Sequence, residues 1–156
     1  MNRCILALDF DGVTHPDGCF AANFFCRLPA IEQVVREFPE VALVISSSWR
    51  NHNLMEDLVK HFAADMHRRI LGTTPNMVKH PSYWRPNQIG RQYPRQFEIE
   101  LWRDESGRWG DRWLAIDDRP EWFAPGCHNL LVTNPAAGFV PTDQERLRAM
   151  LNERVS

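Results

Sequence analysis

Six residues combine reactive chemistry with a telling position: Asp9, Asp11, Ser46, Ser47, Asp117 and Asp118 all lie just beyond apolar runs. Ile5-Leu6-Ala7-Leu8 leads into Asp9-Phe10-Asp11-Gly12, Val41-Ala42-Leu43-Val44-Ile45 into Ser46-Ser47-Ser48, and Trp113-Leu114-Ala115-Ile116 into Asp117-Asp118. Asp9 and Asp11 are two apart, so on a continuing strand they share a face while Phe10 turns away to pack. Paired carboxylates suit a hard cation. Mg²⁺ takes oxygen ligands in a near-octahedral shell and is usually held by one or two carboxylates together with a substrate phosphate. Metal-assisted phosphoryl chemistry is therefore the first expectation. A lone D-x-D also arises by chance on surfaces. Here it closes a hydrophobic run, and Gly12 permits the tight departure that lets backbone approach a ligand.

The elements that must position these groups are legible as apolar periodicity. The three runs are continuous rather than alternating, as in strands buried on both faces of a parallel sheet. Ile70-Leu71 and Asn129 to Thr133 read as two further strands. Between them, Pro29 to Phe38 reads as a helix with Ile31, Val34, Val35 and Phe38 on one face. A second helix is expected from Asn51 or Asn53 to about Asp65, with either asparagine as its cap. A third is expected from Arg95 to Arg103, with Phe97, Leu101 and Trp102 as the apolar face and Ser106-Gly107 as its stop. Thr142 and Glu145 read as a capping box for a final helix through Leu151. Cys19 to Leu28 reads as a loop or short flap, and Thr73 to Pro94, carrying four prolines, as mostly irregular chain. Strands alternating with helices imply an α/β fold built on a doubly wound parallel sheet with helices on both faces. Ligands of such sheets bind outside the carboxyl ends of the strands, where all three polar motifs fall.

Composition bounds the remaining choices. The chain has 156 residues, enough for a single domain with one substantial core, so residues 1–156 are expected to form one unit. A net charge of -2 offers no global field for nucleic acid or anionic lipid. Of 18 basic residues only Lys60 and Lys79 are lysines. Cys4, Cys19, Cys26 and Cys127 show neither C-x-x-C spacing nor histidines at zinc distances, which fits free thiols in a reducing compartment. No apolar run is long enough for a signal-peptide core or a membrane span, so a cytoplasmic protein without membrane partners is expected. Trp84, Trp102, Trp109 and Trp113 interleave with arginines but also with acids, which favours core tryptophans and a mixed surface over a base-stacking platform.

The motifs, taken together and in this order, resemble the haloacid dehalogenase (HAD) superfamily of phosphotransferases over nearly the whole chain. Leu8-Asp9-Phe10-Asp11-Gly12-Val13 matches its first motif, and Val44-Ile45-Ser46-Ser47 its second, an apolar strand ending in Ser or Thr. The Ser-Ser-Trp-Arg ending and the compact build look most like the HAD domains of Swiss Army Knife RNA repair proteins. Ile116-Asp117-Asp118-Arg119-Pro120 is also similar to the fourth motif of deoxyribonucleotidases. The order of motifs discriminates against a response-regulator receiver, whose acid pair sits on the first strand and its phosphoacceptor on a middle one. About 27 residues separate the first motif from the second strand, too few for a large cap.

The resemblance implies a Rossmann-like HAD fold and a Mg²⁺-dependent phosphatase in which Asp9 forms an aspartyl-phosphate. Asp11 would protonate the leaving group and then activate water. Mg²⁺ would be held by Asp9, the Asp11 backbone carbonyl and Asp118, with Asp117 the less certain acid of its pair. Ser47 would bond a phosphoryl oxygen, with Ser46 of almost equal claim and Ser48 third. The family's usual basic residue is not a lysine here; Arg95 takes that role first, Arg91 second, and Lys79 is too early in the chain. His15, a lone loop histidine, reads as solvent-facing and stays outside the catalytic set. The expected partner is a phosphorylated substrate, and an open site admits nucleic-acid ends. A 5'-nucleotidase acting on small nucleotides and a non-catalytic phosphate-binding module are the alternatives.

Overall fold

The computed structural model describes residues 3–80 and 92–156. Five strands, β1 (Cys4–Leu8), β2 (Val41–Ile45), β3 (Ile70–Thr73), β4 (Arg112–Asp117) and β5 (Leu130–Val132), form one parallel sheet in the order β3-β2-β1-β4-β5. Four helices accompany it: α1 (Leu28–Arg36), α2 (Met55–Val59), α3 (Pro94–Glu105) and α4 (Pro141–Val155). The chain winds outward from β1 to β3, then returns across β1 to β4. This reversal puts a crevice beyond the carboxyl ends of β1 and β4, the standard ligand position of open α/β sheets.

The continuous apolar runs are explained by two cores. Cys4, Leu6 and Leu8 of β1, with Val41, Leu43 and Ile45 of β2 and Leu114 and Ile116 of β4, pack beneath α1, α2 and α4. The alternate residues Ile5, Ala7, Val44, Trp113 and Ala115 pack on the other face against Ile99 of α3 and Phe123. Because successive side chains point to opposite faces, both sets must be apolar. Between β1 and β2 the chain adds only α1 and a short 3-10 turn at Ala21–Asn23, so this connection carries no cap insertion. Among the described residues no helix is long and apolar enough to cross a membrane.

Several expected elements are differently built. The helix foreseen from Asn51 or Asn53 to Asp65 is instead a 3-10 turn at Ser48–Asn51, the short α2, and a 3-10 segment at Ala64–Arg69. Neither asparagine caps α2, because the Asn53 amide donates to the Trp49 carbonyl and Asn51 Oδ1 accepts from Asn76. The inner face of α3 is Arg95, Glu98, Ile99 and Arg103 rather than Phe97 and Leu101, which lie nearer the surface. At α4 the cap lies two residues earlier than the Thr142/Glu145 box: Asp143 accepts from the Val140 N–H at 3.0 Å, and the helix runs on past Leu151.

Candidate active site

Strand register brings the site together. Leu8 lies opposite Ile45 and Ile116, so the next residues, Asp9, Ser46 and Asp117, stand at one level. The pairing continues there through Asp9 N–H to Ile116 O at 3.2 Å and Ser46 N–H to Leu8 O at 2.8 Å. By alternation all three belong to the face covered by α3. That helix begins at Pro94, and its first turn delivers Arg95 to the same spot. One Arg95 nitrogen lies 3.2 Å from Asp9 Oδ1, 3.2 Å from Asp117 Oδ2 and in contact with the Ser46 carbonyl. Behind it, Glu98 approaches Arg95 at 4.0 Å and pairs with Arg50 at 2.5 Å. Glu98 also accepts the Met77 N–H at 2.8 Å.

The carboxylates strain against one another. Oxygens of Asp9, Asp117 and Asp118 all lie within 4.8 Å, and all three residues are buried. Burial, then the neighbouring Asp117, holds the Asp9 carboxyl well above the usual carboxylate range, against the pull of Arg95. Burial raises Asp117 to about 7, opposed by Arg95 and by the Arg119 N–H at 2.9 Å. Burial pulls Arg95 down, but Asp117, Asp9 and Glu98 outweigh it and leave the guanidinium more firmly protonated than usual. Four carboxylates, Asp9, Asp117, Asp118 and Glu98, face the guanidinium groups of Arg95 and Arg50, with that of Arg119 4.0 Å from Asp118 at the rim, so acids outnumber bases when all are ionised. An all-oxygen donor set with that excess fits a divalent hard cation. Gly12 makes room for it: φ is +74°, and a Cβ there would lie 2.3 Å from Asp118 Oδ2.

Asp11 does not share the Asp9 face. β1 ends at Leu8, and the N–H groups of Val13 and Thr14 both bond the Phe10 carbonyl, turning the chain sharply. The Asp11 carboxylate accepts from His15 Nε2 at 2.8 Å and from the Trp49 indole N–H at 3.0 Å. His15 is therefore not solvent-facing: it is 1% exposed, bonded at both ring nitrogens, and packed against Phe24, Phe25 and Trp49. Sequence reasoning passed over it because its partners Phe25 and Trp49 are distant in the chain. The only available signal was its spacing of four from Asp11.

The two serines differ. Ser46 Oγ is buried without a hydrogen-bond partner, on the face shared by Asp9 and Arg95. Ser47 Oγ accepts from the Trp49 N–H at 3.3 Å and caps the turn that carries Trp49 and Arg50. Arg91 lies outside the described residues, and Lys79 is exposed in a cavity wall away from the three acids. A cavity of about 220 Å³ opens over Arg95, lined also by Ser48, Arg50, Asn51, Asn76 and Trp122. A second, of about 370 Å³, shares Arg50, Asn51 and Asn76 and extends past Thr73 and Thr74 to Lys79. Arg119 stands half-exposed at the rim, 5.4 Å above the Trp122 ring, with Arg95 5.1 Å from the same ring.

Comparison with known proteins adds one match. The family model described as the HAD domain in Swiss Army Knife RNA repair proteins covers residues 5–144, which includes every residue of the site. Neither the curated proteins nor the solved structures compared with the chain gave a match.

Proposed function

The chain belongs to the family of HAD domains in Swiss Army Knife RNA repair proteins, and from that premise we propose that it is a Mg²⁺-dependent phosphoric monoester hydrolase. The observation that carries this reading is the meeting of Asp9, Ser46 and Asp117 at one level of the sheet with Arg95 upon them. An Asp9 oxygen attacks phosphorus as the bond to the leaving oxygen breaks, and Asp11 gives that oxygen its proton. A water that yields a proton to Asp11 then attacks the aspartyl-phosphate, releasing inorganic phosphate and restoring Asp9. Arg95 and the Ser46 hydroxyl offer donors to the phosphoryl oxygens as charge builds on them. Asp9, Asp117, Asp118 and the Asp11 main-chain carbonyl would hold Mg²⁺, which supplies charge neutralisation between nucleophile and phosphate.

Two features support a large phosphorylated substrate such as a nucleic-acid end. The connection between β1 and β2 carries no cap insertion, and the two cavities beyond Arg95, which share lining residues, present Arg50, Asn51, Asn76 and Lys79. The family name points the same way. The test is phosphate release from 5'- and 3'-phosphorylated oligonucleotides, nucleoside monophosphates and aryl phosphates, with Mg²⁺ or with chelator. Turnover that needs Mg²⁺ and vanishes in a folded Asp9→Asn variant is expected. Full activity in either the chelated protein or that variant overturns the mechanism. Preference for mononucleotides over oligonucleotide ends would move the substrate to the nucleotidase class suggested by Asp117-Asp118-Arg119-Pro120.

A further inference from the structure

A half-exposed aspartate on a loop ordinarily samples several rotamers, yet a group that must meet a leaving oxygen needs one. Asp11 is 44% exposed, and each of its oxygens is caught by a different ring. Trp49 donates to Oδ2 at 3.0 Å, and an indole N–H can do nothing else. The role of His15 follows from its other nitrogen. The Phe25 main-chain N–H lies 3.2 Å from His15 Nδ1, and an amide can only donate. Nδ1 therefore keeps its lone pair, and the ring proton sits on Nε2, aimed at Asp11 Oδ1 at 2.8 Å. The Thr14 hydroxyl stands 3.1 Å from the same Nδ1 and 3.0 Å from the Phe10 carbonyl, so its single proton goes to one of these two acceptors at a time.

The backing is rigid. Phe24, Phe25 and Trp49 have ring centres 4.9, 5.3 and 5.8 Å from that of His15, and Phe10 packs edge-on to both Phe25 and Trp49. Phe25, whose N–H fixes the His15 tautomer, has φ of 63°, in the left-handed region where a bulky residue is strained. Such strain persists where surrounding structure over-determines it, and it clusters at functional sites.

From this geometry we infer that His15 and Trp49 are positioning residues, a two-donor clamp that fixes Asp11 as the acid–base group. The inference rests on the proposed role of Asp11. The clamp does not relay a proton: Trp49 has no acceptor, and the His15 acceptor is occupied by the Phe25 amide. Each Asp11 oxygen retains a second lone pair, so the transferred proton has a place to sit while both clamp bonds persist.

The test compares two aryl esters, because p-nitrophenolate leaves with little need of a proton while phenolate needs one. The quantity read is the ratio of kcat/KM for phenyl phosphate to that for p-nitrophenyl phosphate, at saturating Mg²⁺. Both esters are measured on one preparation, so a partly unfolded variant changes neither sense nor size of the ratio. His15→Leu and Trp49→Phe should each lower the ratio by about tenfold or more, within the ~10²–10⁴ that a positioned acid contributes. His15→Gln, which returns an N–H near the place of Nε2, should recover most of the loss. An unchanged ratio in both donor-deleted variants, whatever their overall activity, overturns the clamp, as does a Gln variant no better than Leu. Asp11→Asn separates the two levels of argument. If it too leaves the ratio unchanged, or if the parent turns over neither ester, the acid–base reading of Asp11 fails and the clamp with it.

Discussion

Gly12→Ala tests whether Asp118 belongs to a metal site, and the structure gives its size. The added methyl would sit 2.3 Å from Asp118 Oδ2 and 2.6 Å from its Cγ, where ordinary contact starts near 3.4 Å. The carboxylate must therefore retreat by about 1 Å, a displacement that can cost on the order of 10²-fold in rate when it misplaces a reacting group. The atoms met belong to a side chain rather than to backbone, so the fold yields at Asp118. The separate cost is conformational: at φ +74° an alanine is strained by about 1–2 kcal/mol. For a chain of this size that lowers Tm by roughly 2–8 °C. Isothermal titration with Mg²⁺, thermal unfolding and steady-state turnover read the three consequences. The expected result is a modestly less stable protein whose Mg²⁺ affinity falls by about tenfold or more, equal to about 1.4 kcal/mol or more. A variant that binds Mg²⁺ as tightly as the parent refutes Asp118 as a ligand. A variant that does not fold refutes the argument that the side chain, not the turn, gives way.

Arg95→Ala should lower kcat by about 10²–10³-fold, the usual effect of removing one donor from a developing charge. Arg95→Lys should keep part of the rate, since it retains the charge but loses the second nitrogen that faces Glu98 while the first serves Asp9, Asp117 and the Ser46 carbonyl. Equal activity of the alanine variant and the parent would remove Arg95 from the site. A different carboxylate tests pH dependence: Glu32, buried and accepting from the Ala63 N–H at 2.7 Å, has its carboxyl raised by burial, with Ala63 and Arg36 partly opposing. The folded protein thus holds this proton to higher pH than the unfolded chain, so its contribution to stability is greatest below the unfolded pKa and is lost as pH rises through the folded one. Glu32→Gln keeps an acceptor for Ala63 without the charge. Its stability relative to the parent, from denaturant melts, should improve as pH rises above the ordinary glutamate range; a flat or opposite trend refutes the sign.

The sheet and its acidic strand ends were legible because a parallel strand buried on both faces must be apolar at every position, so its first charged residue marks its end. Ser46 could not be separated from Ser47 that way. Which of them shares the Asp9 face depends on which residue continues the Ala42–Val44 face, and that is visible only in the pairing of Leu8 with Ile45. The inner face of α3 was misread for a related reason. Apolar periodicity marks Phe97 and Leu101, whereas the helix turns Arg95 and Glu98 inward because ion partners await them on the strand ends and at Arg50. Burying charge breaks the local pattern where the site is built, so a search for apolar faces fails there. The second helix failed because both candidate caps bond elsewhere: Asn53 turns back to the Trp49 carbonyl, and Asn51 meets Asn76, which lies 25 residues on and outside any local window.

The two acids of the D-x-D motif are served by opposite faces of the sheet, and this gives the motif its spacing a physical sense. Asp9 continues the face packed on α3, where Arg95, tied behind by Glu98 and Arg50, forms a positive back wall against carboxylates that burial would otherwise leave uncompensated. The start of α3 adds its own partial positive charge at the same place. Asp11, past the turn at Phe10, belongs with the aromatic group that packs against the other core through Phe10, Phe25 and Trp49. Phe10, wholly buried between the two acids in sequence, anchors the turn that parts them. Two carboxylates a residue apart would share one environment if the strand simply continued. By ending β1 at Leu8 the chain gives one a buried setting shared with Asp117, Asp118 and Arg95, and the other a half-exposed setting held by the N–H groups of His15 and Trp49.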